Sequence, residues 1–170
     1  MACMFWGLFF LFVDLPVPIG KGELNLLPLF AGCLLFWRGM AAAESPALER
    51  SRPLALAGAV YGAAEWALGL MGFAAGWTGW CLKAGRKVFQ LLLTRRLVLG
   101  VRELEAAWEC DLGAALLDKL WKGMAAAAVA AYAFPLLPPV TWLGTVGGLL
   151  LSLAFLLCFG QSRIKYERGN

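Results

Sequence analysis

The chain has 170 residues, 61% of them hydrophobic and only 15% charged, against about 25% charged for an ordinary soluble domain. A surface that poor in polar groups excludes a water-soluble globule of this size. The formal net charge of +4 is too small and too scattered to suggest a nucleic-acid partner. The basic residues flank apolar segments instead, as they do in membrane proteins. Histidine is absent, which argues against histidine acid–base chemistry, a Ser-His-Asp triad and most zinc or haem sites. Among Cys3, Cys33, Cys81, Cys110 and Cys158 no pair has Cys-x-x-Cys spacing, so the cysteines read as small hydrophobes. No metal and no cofactor are expected.

The composition and segment pattern predict an all-α, polytopic membrane bundle. It has about five membrane helices and an amphipathic helical pair between the third and fourth. The first segment, Ala2 to Val13, is apolar from the start with no basic leader, and is read as a retained membrane helix. Asp14 to Glu23 carries Pro16, Pro18, Gly20 and Gly22, a helix-breaking loop. Asp14 and Glu23 flank it as a candidate carboxylate pair. The second segment runs from Leu24 to Ala43, with Pro28 near its start and Trp37-Arg38 marking an interface. Glu44 to Pro53 is a polar loop.

The third segment, Leu54 to Trp80, carries Gly58, Gly62, Glu65, Gly69, Gly72, Gly76 and Gly79 at alternating spacings of four and three. Such a stripe predicts one continuous helix with a small-residue seam, suited to close packing against another helix of this chain or of a second copy. Glu65 falls on that seam in mid-span, where an ionised carboxylate costs about 2.5–3.5 kcal/mol on insertion scales. Tyr61 lies one turn before it, and Arg38 is the nearest edge cation in sequence. Tyr61, Glu65, Arg38 and Asp14 are therefore the candidate binding residues.

Lys83 to Lys122 holds eight of the fifteen Lys and Arg residues. Lys83, Arg86, Lys87, Gln90 and Thr94 form a polar stripe opposite Val88, Leu91, Leu92 and Val98. This predicts a basic amphipathic helix at a membrane surface, interrupted at Gly100 and followed by a second amphipathic helix. Asp111 is a candidate helix cap. Segment four, Gly123 to Phe134, is alanine-rich. Segment five, Val140 to Gly160, has a weaker small-residue face, and Gln161 to Asn170 reads as a polar tail. Residues 1–170 are read as one membrane domain with 83–122 as an amphipathic cytoplasmic or interfacial insertion. Loop charge favours the N-terminus outside, 83–122 and the C-terminus in the cytoplasm, and Arg38, Arg50 and Arg52 outside; a rival in which segment three re-enters without crossing keeps these three arginines inside as well.

Asp14-Leu-Pro, the run Leu26-Leu-Pro-Leu-Phe-Ala-Gly32 and Arg38-Gly39 resemble small bacterial membrane proteins of unassigned function. In these a Leu-Pro-Asp-Phe-hydrophobic-Gly-Tyr run opens the second helix. Leu29 stands here in place of the Asp and Cys33 in place of the Tyr. The resemblance implies a bacterial cytoplasmic-membrane setting and no particular activity. Phosphate loops, dinucleotide fingerprints, zinc-protease motifs and nucleophile elbows are all missing from the chain. The best-fitting function is a non-enzymatic accessory subunit that binds another membrane protein or itself. A small transporter or channel subunit with Glu65 as coupling residue is the alternative. An interfacial lipid enzyme using Asp14, Arg38 and Glu65 fits least.

Overall fold

The computed structural model describes residues 1–13, 15–19, 22–25, 27–43, 45–73, 76–133 and 137–169. The chain is all-helical apart from one small hairpin. The elements are α1 (Ala2–Phe12), β1 (Pro16–Ile19), β2 (Gly22–Asn25), α2 (Leu29–Ala41), α3 (Pro46–Arg50), α4 (Arg52–Leu70), α5 (Gly76–Trp108), α6 (Ala114–Ala133) and α7 (Pro138–Gly169). The expected loop 14–23 is largely the antiparallel hairpin, in which Pro16 pairs with Asn25 and Ile19 with Gly22. The Asn25 side chain closes it by accepting from the backbone N–H groups of Leu15 and Leu27, both at 3.1 Å.

Consecutive long helices run antiparallel, and glycines set how closely they approach. A Cβ at Gly39 would stand 2.7 Å from the Met4 nitrogen, and one at Gly62 would stand 2.7 Å from the Phe30 nitrogen. Neither neighbour can yield without a backbone shift, so α2 lies backbone-to-backbone against α1 on one side and α4 on the other. Gly58 faces the Cys33 sulfur. The core beneath holds Met4, Leu8, Phe36, Leu93, Leu97, Phe155 and Phe159, all fully buried.

The third segment does not run on as a single helix. Helix α4 stops at Leu70, and Gly72 adopts φ +80°. The Gly72 N–H donates to the Gly69 carbonyl at 3.1 Å and the Phe73 N–H to the Leu68 carbonyl at 3.0 Å. This is the Schellman closure of a helix by a left-handed glycine. Gly76, at φ +66°, opens the next helix, and neither glycine has a neighbour within 4 Å of where its Cβ would be. Gly58, Gly62 and Gly69 are buried in the bundle, but Gly72 and Gly76 are turn residues and pack no helix. Gly72→Ala is expected to cost about 1 kcal/mol through backbone strain alone. Chemical unfolding measures this, and the far-UV spectrum of the variant should be unchanged.

Gly100 is likewise no interruption. Helix α5 runs through it, and the Leu48 side chain occupies the space a Cβ would need. The break comes later, at Glu109 (φ 49°) and Gly113 (φ +88°). There Asp111 accepts from the Gly113 N–H at 2.9 Å, and the Glu105 carboxylate accepts from the first N–H of α6, that of Ala114, at 2.8 Å. Residues 83–122 are thus shared between α5 and α6. The second amphipathic stretch is split, its first part ending α5 and its later part joining the alanine-rich segment in α6, and α7 continues helical through the expected polar tail.

This packing collects charge at one end. Ser45 caps α3, and its hydroxyl donates to Glu103 at 2.9 Å; the Ala47 N–H donates to the same oxygen at 3.0 Å. Arg163 lies over Phe5 near the N-terminus. The Arg50–Arg52 turn therefore shares an end with Arg96, Arg102 and Arg163. A topology with Arg50 and Arg52 on the far side from residues 83–122 does not fit these contacts.

Among the described residues two helical stretches, Arg52–Leu70 and Pro138–Glu167, are long and apolar enough to cross a membrane, against about five expected. Ala2–Phe12 and Leu29–Ala41 are apolar but short. They are roughly 17 and 20 Å long against a hydrocarbon core of about 30 Å.

Candidate polar cluster between α4 and α5

The most informative helix is α5, because it buries polar side chains together with Leu93, Leu97, Val101 and Leu104 while leaving some apolar ones exposed. Gln90 is 6% exposed and Thr94 fully buried, whereas Val88 is 55% and Leu92 45% exposed. Arg86 and Lys87 are partly buried on the inward side, and only Lys83 of that stripe is exposed. The polar stripe thus turns toward the bundle, while the apolar stripe is split: Val88 and Leu92 face out, Leu91 is partly buried and Val98 lies in the core. The same holds on α4, where Val60 is 72% exposed while the Glu65 side chain is 17% exposed.

The exposed apolar side chains form a belt with two rims. At one rim Trp77 stacks on Trp80 with ring centroids 4.9 Å apart, Tyr132 of α6 lies 6.3 Å from Trp80, and Trp142 stands exposed in the first turns of α7. At the other, Arg52 lies 4.7 Å over Trp37 and Arg95 lies 4.8 Å over Trp121. Trp77 and Arg95 are eighteen residues apart on one helix, about 27 Å.

Inside the belt, α4 and α5 form a hairpin about the Gly72 turn, so Tyr61 and Glu65 come to face Leu82 to Arg86. The Tyr61 hydroxyl donates to the Leu82 carbonyl at 2.8 Å. It fits over Gly85, where any Cβ would collide with it, and its ring leans on Phe89 at 5.0 Å. Glu65 Oε1 lies 3.9 Å from Arg86 Nη1, and the two side chains are 17% and 13% exposed. Arg86 is nine residues from Trp77 and nine from Arg95, so the ion pair lies midway between the rims, about 14 Å from each.

Sequence and structure agree on Tyr61 and Glu65 and part company over the cation. Arg38 is exposed on α2, near the Trp37–Arg52 rim. Gly62 of α4 meets α2 at Leu29 and Phe30, nine residues or about 13 Å further up. Arg38 is therefore not part of the cluster, and Arg86 takes its place. Arg86 was visible in the polar stripe; only its direction was misread. Asp14 and the Glu23 side chain lie outside the described residues. Among the described residues no three His, Cys, Asp or Glu side chains come together as metal ligands. No family model, curated protein or solved structure matches this chain.

Proposed function

We propose that the chain is a polytopic protein of a bacterial cytoplasmic membrane and works as a non-enzymatic accessory subunit, docking another membrane protein or a second copy of itself. The observation that carries the membrane part is that Val60, Val88 and Leu92 stand exposed while Glu65, Gln90 and Thr94 are turned inward. In water that arrangement loses on both faces; in hydrocarbon it is the stable one, because ionisable side chains avoid lipid by facing the bundle. The N-terminal resemblance supplies the bacterial setting. By the excess of Lys and Arg on cytoplasmic sides, the charged end, with both termini, faces the cytoplasm.

The Tyr61–Glu65–Arg86 set then clamps α4 to α5. Of the seam glycines, Gly58 and Gly62 already meet α2 and α5 and Gly72 and Gly76 are turn residues, so docking falls to the opposite face of α4. There Ala57, Ala63, Ala64 and Ala67 are exposed, small enough for a foreign helix to approach closely. Native gels of membranes solubilised in mild detergent test this. Ala63→Trp with Ala67→Trp is expected to dissolve a complex formed by the parent chain while leaving the chain folded and resistant to alkaline carbonate. A complex that survives both tryptophans would remove the docking reading, and a parent chain stripped by carbonate would remove the membrane one. The mid-depth Glu65 favours one second reading, a transporter with Glu65 as its coupling group. Ion- or pH-driven flux in proteoliposomes that Glu65→Gln abolishes would establish it.

A further inference from the structure

One face of α5 changes character along its length. Val88 and Leu92 are exposed and apolar. One turn on, the same face carries Arg95, Leu99, Arg102 and Ala106, with Arg96 at its flank. At helical spacing these residues form one stripe, greasy inside the belt and cationic beyond its rim. Two cavities open on the cationic part. One, of about 430 Å³, lies between α5 and α6 and is lined by Arg95, Arg102, Lys119 and Lys122 among others. The other, of about 470 Å³, lies between α3 and α5 and is lined by Arg50, Arg96 and Arg102. Leu99 and Arg102 wall both.

The acids at these cavities are already engaged. Asp118 pairs with Arg95 and, at 2.7 Å, with Lys122, and these cations hold its carboxyl below the ordinary carboxylate range. Glu105 caps α6, and Glu103 caps α3. Arg50, Arg96, Arg102 and Lys119 make no ion pair or hydrogen bond among the described residues. An excess of cations over carboxylates around these concave surfaces, next to the exposed Val88 and Leu92, matches an acidic headgroup with acyl chains attached.

We propose that this face holds an anionic glycerophospholipid, with its chains along Val88 and Leu92 and its phosphate among Arg96, Arg102 and Lys119. The guanidinium groups bind phosphate oxygens through paired N–H donors. The apolar stripe distinguishes the lipid from a free anion, and the positive charge distinguishes it from a zwitterionic lipid. The inference rests on the membrane reading above.

The test is native mass spectrometry of the purified, delipidated chain titrated with phosphatidylglycerol or phosphatidylcholine. The parent chain is expected to retain phosphatidylglycerol in preference. Arg96→Ala with Arg102→Ala is expected to weaken that binding about thirtyfold, from roughly 1 kcal/mol per basic residue. Arg96→Lys with Arg102→Lys should retain only part of it, because the charges remain and the paired donors do not. Equal binding of the two lipids, an unaffected double alanine variant, or displacement of the lipid by inorganic phosphate would each overturn the proposal. Carbonate extraction of the same double variant separates the two ideas: a chain that stays in the membrane without lipid preference loses only this site, and a chain that is stripped loses the membrane reading as well.

Discussion

Replacing Glu65 by leucine is expected to destabilise the folded chain more than replacing Arg86 by leucine, and replacing both is expected to recover most of the loss. At 3.9 Å the pair attracts by about 4 kcal/mol with an effective dielectric near 20, which offsets the cost of taking both charges out of water. Removing one partner leaves the other charge buried, at about 3–5 kcal/mol. The two charges left behind differ. A glutamate can escape by taking up a proton, at about 3.7 kcal/mol at pH 7 from an ordinary value near 4.3. An arginine has no such escape, because its guanidinium does not deprotonate in proteins. Unfolding in mixed micelles, followed by tryptophan fluorescence, measures all four states of the cycle. Additive losses in the double variant would mean that the two side chains do not pair.

The second large effect is expected at α6–α7, where two neighbouring glycines should respond with opposite sign. A Cβ on Gly144 would lie 2.6 Å from the Ala131 nitrogen and 2.8 Å from the Ala127 oxygen. Both are backbone atoms, so the helices must separate, and Gly144→Ala should cost about 1–3 kcal/mol. A Cβ on Gly147 would meet nothing within 4 Å. There the alanine only restricts the unfolded chain and favours helix, so Gly147→Ala should stabilise by about 0.5–1 kcal/mol. The same unfolding assay reads both. A stabilising Gly144→Ala would mean that this face of α7 does not lie on α6.

Residue type and spacing reveal where the helices lie more readily than which way they face. Helix α3 falls inside the stretch expected to be a polar loop, although Ser45 and Pro46 supply the local signals of a cap and an N1 proline. Tyr61 and Glu65 were legible because a carboxylate in an apolar run needs a partner wherever it is. The polar stripe of α5 was equally clear, but a stripe has no sign. In water its apolar side is buried and in lipid its polar side is, so reading it as a surface helix turned it outward. Gly72 misled for a related reason: three-and-four spacing is shared by a packing seam and by the glycine that ends a helix. Gly100 looked like a break, but Leu48 comes from a distant stretch to fill the place of its missing side chain. Arg86 was passed over for Arg38 because the α4–α5 hairpin that brings it to Glu65 depends on the Gly72 turn.

Collision accessibility of nitroxides on a cysteine-free background tests the outward apolar belt directly. Labels at Val88, Val129 and Leu149 in reconstituted vesicles should be relaxed strongly by oxygen and weakly by a water-soluble nickel chelate, and a label at Lys119 should show the opposite. Strong nickel relaxation at Val88 would contradict the account, because it would put water where hydrocarbon is required.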